Sequence, residues 1–205
     1  MRRIKIISVF LIFLISFISH FMYEWCTNSL FSIIFPVNES IWEHMKLILT
    51  PVLIFSLFEY IIYRKKNIYY NNFILSYSIS IIIGIIFYLI LYLPIHYILV
   101  HSAVYAIILL FITFIIVQIV SYYIMNYKEI RYSYIIGNII IILLYVIFGY
   151  LTYNPLEIDI FYDTQKNIYG IPRKNTIWFW SCSFNFSFFW IYLSNLIFLS
   201  YNLYL

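Results

Sequence analysis

Stretches of about twenty mostly apolar residues recur along this chain, and that recurrence limits its possible folds more than any motif does. A helix rises 1.5 Å per residue, so about 20 apolar residues cross the ~30 Å hydrocarbon core of a bilayer. On this criterion the sequence predicts spans near residues 6–23, 47–63, 73–93, 102–123, 133–153 and 177–200. The expected fold is all-α, a polytopic transmembrane helix bundle of five or six spans. Composition agrees. Of 205 residues, 65% are hydrophobic and 10% charged, whereas a soluble domain carries about a quarter of its residues charged. Disorder needs the opposite balance, and two cysteines are too few for a secreted disulfide scaffold.

Lys and Arg in short loops set orientation. Eight of the twelve basic residues, Arg2, Arg3, Lys5, Arg64, Lys65, Lys66, Lys128 and Arg131, fall at alternate ends of the spans, against only Glu59 and Glu129. That side is expected to be cytoplasmic, with the N-terminus there and the first helix retained as an uncleaved span. The opposite side holds Lys46, Lys166, Arg173 and Lys174 against Glu24, Glu39, Glu43, Glu157, Asp159 and Asp163. The net charge of +4 therefore reads as a topology signal and argues against a nucleic-acid partner, since no basic domain stands behind it. The expected partner is the lipid bilayer, and the expected location a cell membrane. Trp25, Trp42, Trp178 and Trp180 sit at outer span ends, where indoles prefer the interface.

All four histidines, His20, His44, His96 and His101, map to the outer boundary with most of the carboxylates. The densest polar stretch is Pro36-Val37-Asn38-Glu39-Ser40-Ile41-Trp42-Glu43-His44-Met45-Lys46. Ser40-x-x-Glu43 fits a capping box opening the second span, and Asn38 is an alternative cap. At 100° per residue Glu39, Glu43, Lys46 and Thr50 share a narrow stripe, with His44 about 100° from Glu43. Glu43 and Lys46, three apart, are placed to pair. A bend is expected near Pro51. His20 and Glu24, four apart, share a face of the first span, as two metal ligands, as a base with its orienting carboxylate, or as an interfacial hydrogen bond.

The PVNES-x-WEH-x-K block resembles the signature of an uncharacterised bacterial family of multi-pass membrane proteins, a domain of unknown function. Tyr153, Pro155, Asp163 and Tyr169-Gly170-Ile171 are similar to a looser second element of that family. The resemblance covers roughly residues 1–172 and implies a single membrane-embedded domain over 1–173. Residues 174–205, compositionally different, are then an additional C-terminal helix or the product of a shifted reading frame. The resemblance implies no activity.

The candidate site thus comprises Glu43, Glu39 and Asn38 as catalytic groups and His44, His20, Glu24 and His101 as metal ligands. Trp42, Lys46, His96 and Asp163 are accessory to it. Imidazole with carboxylate suits zinc or a similar divalent cation, and equally suits acid–base catalysis. HExxH, CxxC, GxSxG and phosphate-loop signatures are absent. The leading expectation is a metal-dependent or acid–base membrane enzyme acting on a lipid or envelope precursor. A structural or accessory subunit and a small-solute or cation transporter are the alternatives. The transporter is disfavoured by the lack of an internal repeat. Cys26 and Cys182 both map near the outer boundary, which leaves a disulfide and two free thiols both open. Ala occurs only at Ala103 and Ala106; such a bias fits A/T-rich coding, so aromatic stripes here are weak pointers to a site.

Overall fold

A computed structural model of the chain describes residues 2–99 and 103–171. The helices are α1 (Arg2–Trp25), α2 (Ser29–Ile34), α3 (Ile41–His44), α4 (Lys46–Lys65), α5 (Phe73–Leu99), α6 (Ala103–Met125) and α7 (Ser133–Tyr153). A 3₁₀ turn (Asp159–Phe161) and a two-stranded hairpin, β1 (Tyr162–Asp163) with β2 (Ile168–Tyr169), follow α7. Five segments are long and apolar enough to cross a membrane: Ile4–Trp25, Ile41–Lys65, Phe73–His96, Ala103–Met125 and Ser133–Tyr153. The chain is a transmembrane helix bundle. The sixth expected span, together with His101, Arg173, Lys174, Trp178, Trp180 and Cys182, lies outside the described residues, so the choice between a Cys26–Cys182 disulfide and free thiols does too.

The second span begins six residues earlier than hydropathy suggested, because its first turn is polar and buried. The helix starts at Ile41, and its hydrogen bonding shifts at Met45, whose N–H donates to Trp42 O at 3.1 Å. Pro51 lies inside α4.

α5 is central, packing against α6, α7 and α4, while α1 packs on α4 and α6. Close approach depends on missing side chains. A Cβ on Gly137 would stand 2.7 Å from Leu75 N, and one on Gly84 2.5 Å from Val117 Cγ2. Small residues permit such helix contacts in membranes, where apolar burial alone gives little drive. Met45, Ile48, Leu49, Val52, Ile81 and Phe114 are wholly buried at the centre.

The two ends of the bundle are tied differently. At the basic end the Asn72 side chain donates to Lys128 O (2.9 Å) and accepts from Ile130 N (2.9 Å), joining the α4–α5 and α6–α7 turns. Inside that end, Lys5 Nζ donates to Glu59 Oε2 (2.9 Å), Ser121 Oγ (2.8 Å) and Tyr77 OH (3.2 Å). Tyr63 OH donates to the other Glu59 oxygen. Lys5, expected among the loop cations, is buried within four helices, because its charge finds Glu59 there. Both residues had been assigned to one side, so the positive excess of that side is unchanged.

Candidate functional site

The other end carries the Pro36–Ser40 turn, and nearly every polar group of the turn is held. Val37 N–H donates to Glu43 Oε2 (3.1 Å), and Glu39 N–H to Asp163 Oδ2 (3.0 Å). Ser40 N–H donates to Asn38 Oδ1 (2.9 Å), whose amide donates to Gly170 O (2.7 Å). The capping box forms only in half. Ser40 Oγ accepts from Glu43 N at 3.3 Å, but the Glu43 carboxylate turns to Val37, leaving Asn38 to serve Ser40 N. Asp163 is fully buried, accepting also from Gln165 N (2.8 Å) and Lys166 N (3.0 Å). Trp42 packs between Phe148 and Phe161, with ring centroids 4.7 and 4.9 Å away. The two sequence elements, residues 36–46 and 153–171, thus form one structure. Gly170 closes it: its φ is +65°, and a Cβ there would meet Thr152 O at 2.9 Å, a conformation and an approach that favour glycine.

Glu43 and Lys46 pair within this frame at 2.7 Å, both essentially inaccessible. Lys46 Nζ also donates to Ser32 O (2.6 Å) and Thr152 Oγ1 (2.7 Å), and Thr152 Oγ1 lies 2.7 Å from Glu43 Oε1. Thr50 continues that face, donating to Ile34 O at 2.6 Å. Glu39 does not share the stripe. The helix begins only at Ile41, so 100° spacing does not extend back to residue 39, and its side chain turns to the opposite side.

There Glu39 meets two histidines. Its Oε2 is 3.4 Å from His44 Nε2 and 3.6 Å from His20 Nε2, and the rings are 5.3 Å apart. His20 comes from α1, His44 from α3 and Glu39 from the turn, each about a quarter exposed. His44 Nδ1 is 2.8 Å from Ser40 O. A carbonyl only accepts, so Nδ1 carries a proton, and with Nε2 protonated as well the ring donates to Glu39. The imidazole beside Glu39 holds its carboxyl below the usual range, outweighing burial, which acts the other way.

One ligand atom from each of the three lies within 4.8 Å of the others. Two donors bound at about 2.05 Å to a tetrahedral ion stand roughly 3.3 Å apart, close to the observed 3.4 and 3.6 Å separations. His20, Glu39 and His44 are thus a fitting ligand set for zinc, with the Nδ1–carbonyl bond orienting one imidazole. Of the residues expected as ligands, His20 and His44 come together; Glu24 is exposed and outside the group. Glu39, expected as a catalytic group, is the third member.

The three residues border a cavity of about 610 Å³ that also reaches Tyr88, Tyr92, His96, Ala106, Leu110 and Asp159. His96 is placed near this end by the sequence, which carries no signal for Tyr88 or Leu110 because both lie on nearly uniformly apolar helices.

Compared with known proteins, residues 1–171 match the model of a family described as a family of unknown function, DUF6512. No curated protein and no solved structure matches the chain.

Proposed function

The chain belongs to this family of unknown function, and from that premise we propose that it is a membrane enzyme with a divalent-metal centre at His20, Glu39 and His44. The observation that carries the reading is the group of two imidazole nitrogens and one carboxylate oxygen, with N–O separations of 3.4 and 3.6 Å, beside a cavity. Two histidines and one carboxylate are a catalytic-type zinc set, which leaves a position for water or substrate. A bound ion of that kind polarises carbonyl or phosphoryl oxygens and makes water acidic near neutral pH. It also removes an electrostatic conflict, since without a proton or cation the His44 lone pair opposes a carboxylate.

The other polar residues of the block serve that centre from behind. Asp163 anchors the backbone of Glu39, Asn38 and Ser40 hold the turn, and Glu43 with Lys46 fastens the turn to α2 and α7. Glu43, saturated by Val37, Lys46 and Thr152, is a frame residue in this proposal. Elemental analysis of detergent-purified protein tests it. About one zinc or manganese per chain is expected in the wild type and in Glu24→Ala, and loss of it in His44→Ala and Glu39→Ala. A wild type that takes up no divalent metal on titration with zinc overturns the proposal.

A further inference from the structure

α1 and α6 run antiparallel, and their contact changes character halfway along. Towards the basic end they are joined by Lys5–Ser121 and by the rings Phe10–Phe111 (5.6 Å) and Phe13–Phe111 (5.1 Å). In that register Phe17 comes level with Ile107, and Phe21 with Ala103. There the two helices border the cavity instead, with Phe17, His20 and Phe21 on one side and Ala103, Ala106 and Ile107 on the other. Phe17, Phe21 and Ile107 remain 42%, 44% and 40% exposed while bordering the cavity, and Ile18, Val104 and Ile108 beside them, which do not border it, are 54%, 68% and 54% exposed. The cavity is therefore flanked by lipid-facing residues of two spans. The chain has only two alanines, and both fall on this wall, where a larger residue would take up the space.

The cavity is polar at one end and apolar at the other. His20, Glu39, His44, Thr164 and Gln165 border it near the turn, and Leu47, Tyr88 and Leu110 border it deeper. His96 and Tyr88 are eight residues apart on α5, so it descends about 12 Å into the bundle. Its volume lies within the ~300–1,000 Å³ usual for small-molecule sites. A water-soluble substrate gains nothing from the deep apolar part, and a purely apolar one gains nothing from the His–Glu end.

From this we propose that the cavity takes a lipid laterally from the bilayer between α1 and α6. The occupant is an amphiphile whose anionic oxygen head group, carboxylate or phosphate, sits at the His20–Glu39–His44 centre while its hydrocarbon chain lies along Phe17, Ile107 and Leu110. The head-group assignment rests on the metal centre proposed above; the tail assignment rests on the cavity alone.

The test is photo-crosslinking of the full-length purified chain in detergent, with two probes carrying a diazirine in the hydrocarbon tail. One is a fatty acid and the other a lysophosphatidic acid, and adducts are mapped by peptide mass spectrometry. Adducts are expected on the peptides carrying Phe17 and Ile107, with either head group. Ala106→Trp is expected to lower their yield about tenfold at subsaturating probe, the effect of excluding two methylenes from an apolar site. Zinc content should be unchanged. Ala103→Phe, at the more exposed mouth, serves should the tryptophan disturb folding. Adducts spread equally over the lipid-facing residues of α7, such as Ile142 and Val146, and indifferent to both substitutions overturn the inference. Cavity adducts without metal in the wild type uphold the tail site and remove the metal reading. Metal without cavity adducts does the reverse.

Discussion

Glu43→Ala removes the carboxylate that neutralises Lys46 while leaving the ammonium in place at 0% exposure. The remaining acceptors, the Ser32 carbonyl at 2.6 Å, the Phe35 carbonyl at 3.4 Å and the Thr152 hydroxyl, are neutral. Breaking a buried pair from one side costs about 3–5 kcal/mol, because a charge is left without its partner. Val37 N–H loses its acceptor as well. For chains of this length each kcal/mol moves Tm by about 2–4 °C, so the midpoint should fall by roughly 6–20 °C. Glu43→Gln should cost less, keeping an acceptor towards Lys46. Adding Lys46→Met to Glu43→Ala should restore part of the loss by removing the stranded charge, but not all, since Ser32 and Phe35 carbonyls go unserved. The assay is thermal unfolding of the detergent-purified protein followed by size-exclusion chromatography, with zinc content measured in parallel. A Glu43→Ala midpoint within about 2 °C of wild type would mean less than ~1 kcal/mol and would refute the frame role. Metal lost at unchanged stability would instead place Glu43 in the chemistry.

Four further outcomes follow from the same geometry. Asp163→Ala, which frees the backbone of Glu39, should weaken zinc binding by about 10–100-fold, the usual effect of losing a group that positions a ligand; an unchanged titration would show that Glu39 is held by other means. Gly170→Ala forces a side chain into a left-handed residue and against Thr152, so it should lower Tm by several degrees, at about 1–2 kcal/mol for the backbone alone. Zinc binding should weaken as pH falls, because protons compete with the metal for the imidazole nitrogens. Glu39, held below the ordinary value of 4.5 by His44, contributes stability that is present above that value and lost only as pH falls through its lower folded one. Binding that instead persists to the carboxylate range would exclude histidine ligands. Single cysteines at Glu157 and Asn67, both outside the spans, should label from opposite sides of the membrane, Glu157 from outside; the reverse would invert the orientation on which the charge distribution rests.

Much of the bundle could be read from residue order because its causes are local. Twenty apolar residues in a row have one stable arrangement in lipid, and that requirement places five spans without reference to any neighbour. The Ser40 cap was readable for the same reason, since its partner is three residues away. Where the reading departed, the cause was distance along the chain. Asn38 bonds to Gly170, Glu39 to Asp163 and Lys5 to Glu59, separations of 132, 124 and 54 residues. No periodicity marks such partners.

The same division holds for the candidate site. Sequence singled out His20, Glu39 and His44 because ionisable groups are scarce in so apolar a chain and therefore stand out. It placed His20 and His44 together as ligands, but joined Glu39 to the Glu43 stripe and Glu24 to His20, since it measured proximity along one helix. The folded chain begins its helix only at Ile41, turns Glu39 away from the Glu43 face and brings α1 alongside, so that residues 20, 39 and 44 converge. Lipid solubility and helix placement depend on runs of neighbouring residues and are written in their order. A three-point ligand set depends on how separate helices pack, and packing is settled by contacts that no local segment contains.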